Sequence, residues 1–313
     1  MKKKIFVTGG CGYIGGLLIR DLLSQGYLVT CLDLLIYGDS AVKSLSNDKN
    51  FKLIKGDIRD KNILTKALKG SDAVVHLAAI VGDKPCEAAL KASYDINFKG
   101  TRLLAHIAKK EKIKKFIFAS TCSNYGVSDP NEFATENSEL NPVSLYAESK
   151  IDCEDFLKNF SSEDFKVISL RFGTAYGMAN RTRFDLTVNS FAYEAFKNNK
   201  ISVFAQDTWR PYIHVQDICN IIVEMIKKEK FIENNNTFNA GFTEENFTKK
   251  QIVEKLIQHI PNLQVDYISL NNDKRNYKVD FSKIEKFLNN KKTKNVNDGF
   301  KEILEALKNK NIE

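Results

Sequence analysis

The stretch TGGCGYIGGLLIRDLL (residues 8–23) follows an apolar run at 4–8 and sets Gly9, Gly12 and Gly15 in the spacing G-x-x-G-x-x-G. Few chain segments are so constrained. Glycine at the first position permits a tight turn, and at the second it lets backbone approach a pyrophosphate. At the third it lets a helix pack close to the strand before it. The new helix then directs its partial positive charge at the phosphates. Tyr13 and Ile14 belong to the same phosphate-facing loop. A glycine motif alone is weak evidence; the strand–turn–helix context gives it meaning.

The first half of the chain keeps that rhythm. Apolar runs of strand length fall at 4–8, 28–32, 51–54, 73–77, 115–119 and 165–170. Helical spacing fills 13–24, 61–69, 86–110 and 143–159. Strand–helix alternation with right-handed crossovers predicts a Rossmann-type α/β fold, a doubly wound parallel sheet with helices on both faces. After about residue 171 the rhythm breaks. Strands at 201–204, 237–239 and 264–267 mix with helices near 186–197, 216–228, 248–259, 281–289 and 298–309. The expectation is a dinucleotide-binding domain over 1–170 and a smaller mixed α/β substrate-binding lobe over 171–313. Part of 205–241 is expected to return to the main sheet, and a ligand cleft is expected between the lobes.

Composition removes other classes. No apolar run reaches the roughly 20 residues that span a bilayer. The apolar part of MKKKIFVTGG is too short for a secretory signal, which predicts a cytoplasmic location. The six cysteines contain no Cys-x-x-Cys pair and the four histidines are isolated, so no metal site is expected. The net charge of +8 comes from scattered lysines, which reads as a solvated surface rather than a nucleic-acid face. A positive field also suits a diphosphate-bearing substrate.

Asp33 lies 18 residues after Gly15, near the spacing of an acid that binds an adenosine ribose. The next cation in the chain is Lys43. A 2′-phosphate would meet a carboxylate there, so the expected cofactor is NAD rather than NADP. Asp57 and Ile58 fall where an adenine would rest. Leu77, Ala78 and Ala79 end the fourth strand, with small residues that let a cofactor lie against the sheet edge. His76 reads as a satisfied core residue.

SLYAESK places Tyr146 and Lys150 one helical turn apart on a shared face. A neighbouring ammonium and a positive nicotinamide would favour phenolate and lower the tyrosine pKa from about 10. Tyr146 could then accept a proton from a sugar hydroxyl. Lys150 would also hold the nicotinamide ribose. A further puzzle is FASTCSNYG (118–126), where a buried strand ends on a row of hydroxyls and a thiol. It reads either as a polar turn or as the rim of a reaction site.

The ordered set TGGCGYIG, GDIRD, HLAA, STCSNYG and YAESK, followed by RPYIHVQDI and FNAG, resembles the extended short-chain dehydrogenase/reductases, and more narrowly the nucleotide-sugar epimerase/dehydratase family. The resemblance covers nearly the whole chain. It implies that Thr121 bonds the hydroxyl being oxidised and partners Tyr146, and that Asn97 supports the site. It implies Arg183, Asn189, Arg210 and Arg275 at a nucleotide-diphosphate sugar. Trp209 fits a core place as well as a base-stacking one. Family dehydratases carry Asp and Glu in the two positions after that Thr; here stand Cys122 and Ser123, at the substrate but without carboxylates, which argues against dehydration.

STCSNYG and RFDLTVN look closest to a subgroup associated with bacterial surface polysaccharides, which includes 4-dehydrogenases of GDP-linked heptoses. A 4-epimerase stands beside that reading. A keto-sugar epimerase-reductase using Cys122, and a non-catalytic NAD-binding scaffold, remain further alternatives. The resemblance also implies a homodimer through four helices, with Ile96, Leu103, Leu104 and Ile107 supplying an apolar stripe.

Overall fold

A computed structural model describes residues 2–129, 131–230, 236–269, 274–288 and 292–309. Residue 289 of the expected helix, and residues 231–235, 270–273 and 310–313 of the expected lobe, lie outside the described residues.

The apolar runs form β1 (Lys4–Thr8), β2 (Leu28–Asp33), β3 (Phe51–Lys55), β4 (Ala73–His76) and β5 (Lys115–Thr121). With the strands Lys166–Phe172 and Thr237–Ala240 they make a seven-stranded sheet, parallel throughout. Its order is Thr237–Ala240, Lys166–Phe172, β5, β4, β1, β2, β3. The chain winds outward through β2 and β3, then returns to β4 on the other side of β1. Ligand crevices of doubly wound sheets open at such a reversal, outside the carboxyl ends of the strands.

The strands are apolar on both faces because helices cover both. Ile5, Val7, Val75 and Ile117 meet Leu18, Ile19 and Leu22 of the helix Tyr13–Ser24 and Ile218, Ile222 and Met225 of the helix Val215–Lys227. The alternate residues Phe6, Leu32, Val74, Phe116 and Phe118 meet the other layer. There Leu64 and Leu68 come from Lys61–Leu68, Leu104 and Ala108 from Thr101–Lys110, and Leu157 from Leu145–Phe160.

Residues within 176–212, 247–265 and 296–307 make a second core. Helices Thr187–Asn198, Lys249–Ile257 and Val296–Lys308 bury Val188, Ala192, Leu256, Phe300 and Ile303 together. The strand Trp209–His214 pairs parallel with Thr174–Tyr176 and antiparallel with Asn246–Thr248. The sequence reading missed these pairings, because strands this short carry little periodicity.

Two expectations change. The helical run at 86–110 is broken into Asp83–Ala88, Leu90–Ser93, a π-helical stretch Tyr94–Gly100 and Thr101–Lys110. The proposed dimer stripe is also partly spent inside the molecule. Leu104 is fully buried, Ile107 is buried, and both belong to the core between helix and sheet. The outward face carries Tyr94, Phe98, Arg102 and Phe156, with Arg102 lying 5.0 Å from the Phe156 ring centroid.

Phe238 on the last-arriving strand is fully buried and packs against the Phe287 ring at 4.9 Å. Phe238→Ala is expected to lower folding stability by about 3–5 kcal/mol in urea titrations, the cost of an aromatic-sized cavity. A loss below about 1 kcal/mol would mean that this strand is not integral to the sheet.

Candidate active site

A cavity of about 580 Å³ runs along the C-terminal ends of the parallel strands. One end is built by the glycine loop. Gly9 has φ +72°, and a Cβ there would lie 2.7 Å from the Ala78 nitrogen. A Cβ on Gly15 would lie 2.5 Å from the Gly9 oxygen. The loop is therefore pressed against its own helix and the end of β4, and only hydrogen atoms fit in the gaps. Gly12 caps the helix Tyr13–Ser24 without any side-chain bond to the first-turn amides. That leaves an N-terminal field facing the cavity, as an anion requires.

Gly9, Gly12, Tyr13, Ile14, Gly15, Asp33, Asp57, Ile58, Leu77, Ala78 and Ala79 all line this cavity. Asp33 accepts from the amides of Cys11 (2.9 Å) and Leu35 (2.8 Å), which fixes its carboxylate at the rim. Asp57 is held below the usual carboxylate range by its hydrogen bonds from Arg59, one of them at 2.6 Å. Asn97 does not reach the cavity surface. It accepts from the Ile80 amide at 2.8 Å and donates to the Ile80 carbonyl at 3.0 Å, clamping a wall residue from behind. His76 sits between Thr8 Oγ1 (2.6 Å) and Thr101 Oγ1 (2.8 Å), and burial lowers its pKa to about 3. It is a satisfied core residue.

Thr121, Ser123, Tyr146 and Lys150 line the middle of the same cavity. Ser144 caps the helix Leu145–Phe160 by accepting from the Ala147 amide, and so starts that helix two residues before Tyr146. Lys150 Nζ donates to the Ala119 carbonyl at 2.7 Å and lies 4.6 Å from the Phe118 ring centroid. Burial lowers its pKa to about 8. Its nitrogen is 5.8 Å from the Tyr146 ring centroid. Tyr146 itself is only partly exposed, and that into the cavity. Burial raises its pKa above the ordinary tyrosine range, with the Arg183 charge pulling the other way. This differs from the expectation drawn from the Tyr–Lys spacing: within the protein alone, desolvation outweighs any help from a neighbouring ammonium.

The second half of the chain closes the cavity. Arg183 and Arg275 line it, paired with Asp185 (2.5 Å) and Asp83 (3.2 Å). Two other expected substrate residues lie behind the wall. Asn189 is fully buried; it accepts from the Gly177 amide at 2.9 Å and donates to the Arg183 carbonyl at 3.0 Å. Arg210 is 5% exposed, donates to the Trp209 carbonyl at 2.6 Å and stands 5.2 Å from the Tyr277 ring centroid. Cys122 also misses the cavity: it is fully buried, its thiol bonds the Arg171 carbonyl at 3.1 Å, and burial pushes its pKa well up. These three follow backbone geometry that residue type does not reveal.

Three wall features escaped the sequence reading. Asp83 and Tyr277 line the cavity, and Arg181 reaches it from the far lobe with its guanidinium 3.6 Å from the Tyr37 ring centroid. Arg181 belongs to a segment, 177–183, that crosses the cofactor end. Tyr13 donates to the Gly177 carbonyl at 2.6 Å, and Asn180 bonds both Arg20 (2.9 Å) and the Ala41 carbonyl (2.9 Å). These ties join residues more than 130 positions apart, which no local pattern could signal.

A parallel doubly wound sheet, a glycine cradle at its switch point and a Tyr–Lys pair on the adjoining wall define a nucleotide-binding oxidoreductase-type fold. The sequence model of the NAD dependent epimerase/dehydratase family matches residues 5–241, and the chain belongs to that family. It is 29% identical to human dTDP-D-glucose 4,6-dehydratase over 267 residues, covering 82% of this chain and 74% of that protein. It is 27% identical to the UDP-glucose 4-epimerase of Lactobacillus helveticus over 271 residues, 80% of each. Among solved structures, UDP-glucuronic acid 4-epimerase from Bacillus cereus, in complex with UDP-glucuronic acid and NAD, superposes with a TM-score of 0.86 at 25% identity, covering 98% of this chain and 99% of that one. Among the described residues no helix is long and apolar enough to cross a membrane.

Burial depresses the Lys150 pKa from 10.5 to about 8, so below pH 8 the fold carries the cost of a desolvated ammonium. The unfolded chain binds the extra proton between these values, so that cost disappears as pH rises from 8 to 10.5. Lys150→Met is therefore expected to raise stability at pH 7 by roughly 1–3 kcal/mol. The gain should shrink above pH 8; thermal melts at pH 7 and pH 10 check it. An unchanged or lower stability at pH 7 contradicts the assignment.

Proposed function

We propose that this protein oxidises a nucleotide-activated sugar at its 4-position to a 4-keto sugar, with NAD as the cofactor. The observation that carries the reading is one cavity holding both a phosphate-accepting glycine cradle and the trio Thr121, Tyr146 and Lys150. Bound NAD would supply a hydride acceptor. Gly9, Gly12 and the helix start would hold its pyrophosphate, and Asp33 its adenosine ribose. Two amides already fix the Asp33 carboxylate, whose charge disfavours a 2′-phosphate. Thr121 and Tyr146 would grip the sugar hydroxyl, Tyr146 accepting its proton. Lys150 keeps a positive charge one helical turn away, and the cofactor ring adds the charge that burial of Tyr146 makes necessary. Arg183 and Arg275 would exchange their aspartate partners for the substrate diphosphate.

Elimination of water is disfavoured. Cys122 is buried and Ser123 has no carboxylate. Among the described residues the carboxylates on the cavity wall are Asp33, Asp57, Asp83 and Asp185, and none of them stands in the two positions after Thr121. In its finer form the reading takes a GDP-linked heptose and surface polysaccharide synthesis, on the likeness of STCSNYG and RFDLTVN. A second reading, a 4-epimerase that returns the hydride to the other face of the sugar, is favoured by the segment 177–183. Its ties to Tyr13, Arg20 and Tyr37 lay it across the end of the cavity where NAD would bind, which would suit retention of the reduced cofactor. We also propose a homodimer through the face bearing Tyr94, Phe98, Arg102 and Phe156.

The test mixes protein, NAD and a panel of UDP-, GDP-, CDP- and dTDP-sugars, including GDP-heptose, and follows absorbance of reduced nicotinamide. Growth with one sugar identifies a 4-dehydrogenase; a changed stereocentre by NMR without growth identifies the epimerase. Neither signal with any sugar removes the enzymatic reading in favour of a non-catalytic NAD-binding protein. Tyr146→Phe is expected to lower kcat by about 10²- to 10⁴-fold, the worth of a positioned acid–base group. Cys122→Ala should keep kcat within a few-fold; a loss as large as that of Tyr146→Phe would restore the thiol to the mechanism.

A further inference from the structure

The row of hydroxyls after β5 has a use apart from substrate. Ser120, at the cavity edge, and Asn124 and Tyr125, behind it, meet an ion pair inside the protein. Glu154 and Arg171 have side chains each 6% exposed. Arg171 Nη2 donates to Glu154 Oε2 at 2.6 Å, and its Nε lies 3.0 and 3.1 Å from the two carboxylate oxygens. Ser120 Oγ donates to Glu154 Oε1, and Asn124 Nδ2 donates to the same oxygen at 2.9 Å. Arg171 Nη1 donates to the Tyr125 hydroxyl at 3.0 Å, which in turn donates to Asn239 Oδ1 at 2.6 Å.

Glu154 stands four residues after Lys150 and eight after Tyr146. Each step of four rotates the helix by only about 40° and climbs about 6 Å, so the three side chains form one stripe. The stripe is bonded to β5 in two successive turns: Lys150 to the Ala119 carbonyl and Glu154 to Ser120. One turn earlier on the same stripe, Tyr146 lines the cavity together with Thr121.

Resting on the reading above, we propose that Glu154 is a positioning residue for the reaction: through Ser120 and Arg171 it sets the register of the helix on β5, and with it the places of Lys150 and Tyr146. The Glu154 charge also acts on Lys150. The groups acting on the Lys150 ammonium are Cys153, Cys86 and Glu154, all of which favour its charged form against burial. His76, near enough to feel the same charge, is neutral above pH 3, and the Tyr146 ring completes the surroundings. Both thiols have raised pKa values, so Glu154 is the carboxylate that supplies negative charge there near neutral pH.

Two variants test this. Ser120→Ala keeps the ion pair and cuts its tie to β5. It is expected to fold, to keep KM within about twofold, and to lose about tenfold in kcat through misplacement of Tyr146. Glu154→Gln/Arg171→Gln removes both charges together, so no lone charge is left buried. In the NAD-loaded double variant, the Lys150 ammonium, assigned by its loss in Lys150→Met and followed by NMR, should titrate about half a unit to one unit lower. That readout needs no turnover and would not move if Glu154 were only a packing element. A Ser120→Ala protein with the wild-type kcat, or a Lys150 titration at its wild-type midpoint, overturns the proposal. A shifted midpoint with no sugar turned over shows that the Glu154 charge reaches Lys150 but removes the reaction, and with it the positioning role. Should the double variant not fold, the Ser120→Ala kcat decides alone.

Discussion

The Glu154–Arg171 ion pair is the constraint on which the rest of the site depends. A carboxylate and a guanidinium taken out of water lose several kcal/mol of hydration each, and recover it only when every lone pair and N–H is matched. Here the matching groups come from three elements: Ser120 on β5, Asn124 and Tyr125 on the turn after it, and Arg171 on the neighbouring strand. Such a network has one low-energy arrangement. It therefore specifies how helix, strand end and turn meet, whatever its net contribution to stability. The site residues Thr121, Tyr146 and Lys150 are attached to these same elements and inherit their precision.

A second set of contacts joins the first half of the chain to the second. The glycine loop cannot tolerate a Cβ at Gly9 or Gly15, so its path is fixed by close packing alone. From that fixed loop Tyr13 reaches across to Gly177, and Asn189 holds Gly177 and Arg183 from beneath. The glycine loop is thus tied to the loop that carries Arg183.

Much of this was legible in the residues. The alternation of apolar runs and helical spacing located the parallel strands to within one or two residues, because strands buried on both faces read as continuous apolar stretches. The glycine loop, Asp33, Thr121, Tyr146 and Lys150 carry spacing or order signals, and all line one cavity. Asn97, Cys122, Asn189 and Arg210 were placed at the site by the family resemblance alone, yet they sit behind the wall. Residue type reports what a side chain could bond; the backbone decides whether it turns toward solvent or toward its neighbours. Leu104 and Ile107 show the same limit, since an apolar helical stripe does not say whether it faces a core or a partner.

By itself, then, the order of residues determined the sheet, the cradle at its first turn and the Tyr–Lys helix, because period and glycine spacing act over a few neighbours. Tertiary structure decided the rest. It brought Arg181 to Tyr37 and Asp83 to Arg275, raised Tyr146 and lowered Lys150 by burial, and turned Ser120 inward to Glu154. Each of these depends on desolvation or on contact between distant segments, and both exist only once the chain has closed around its core.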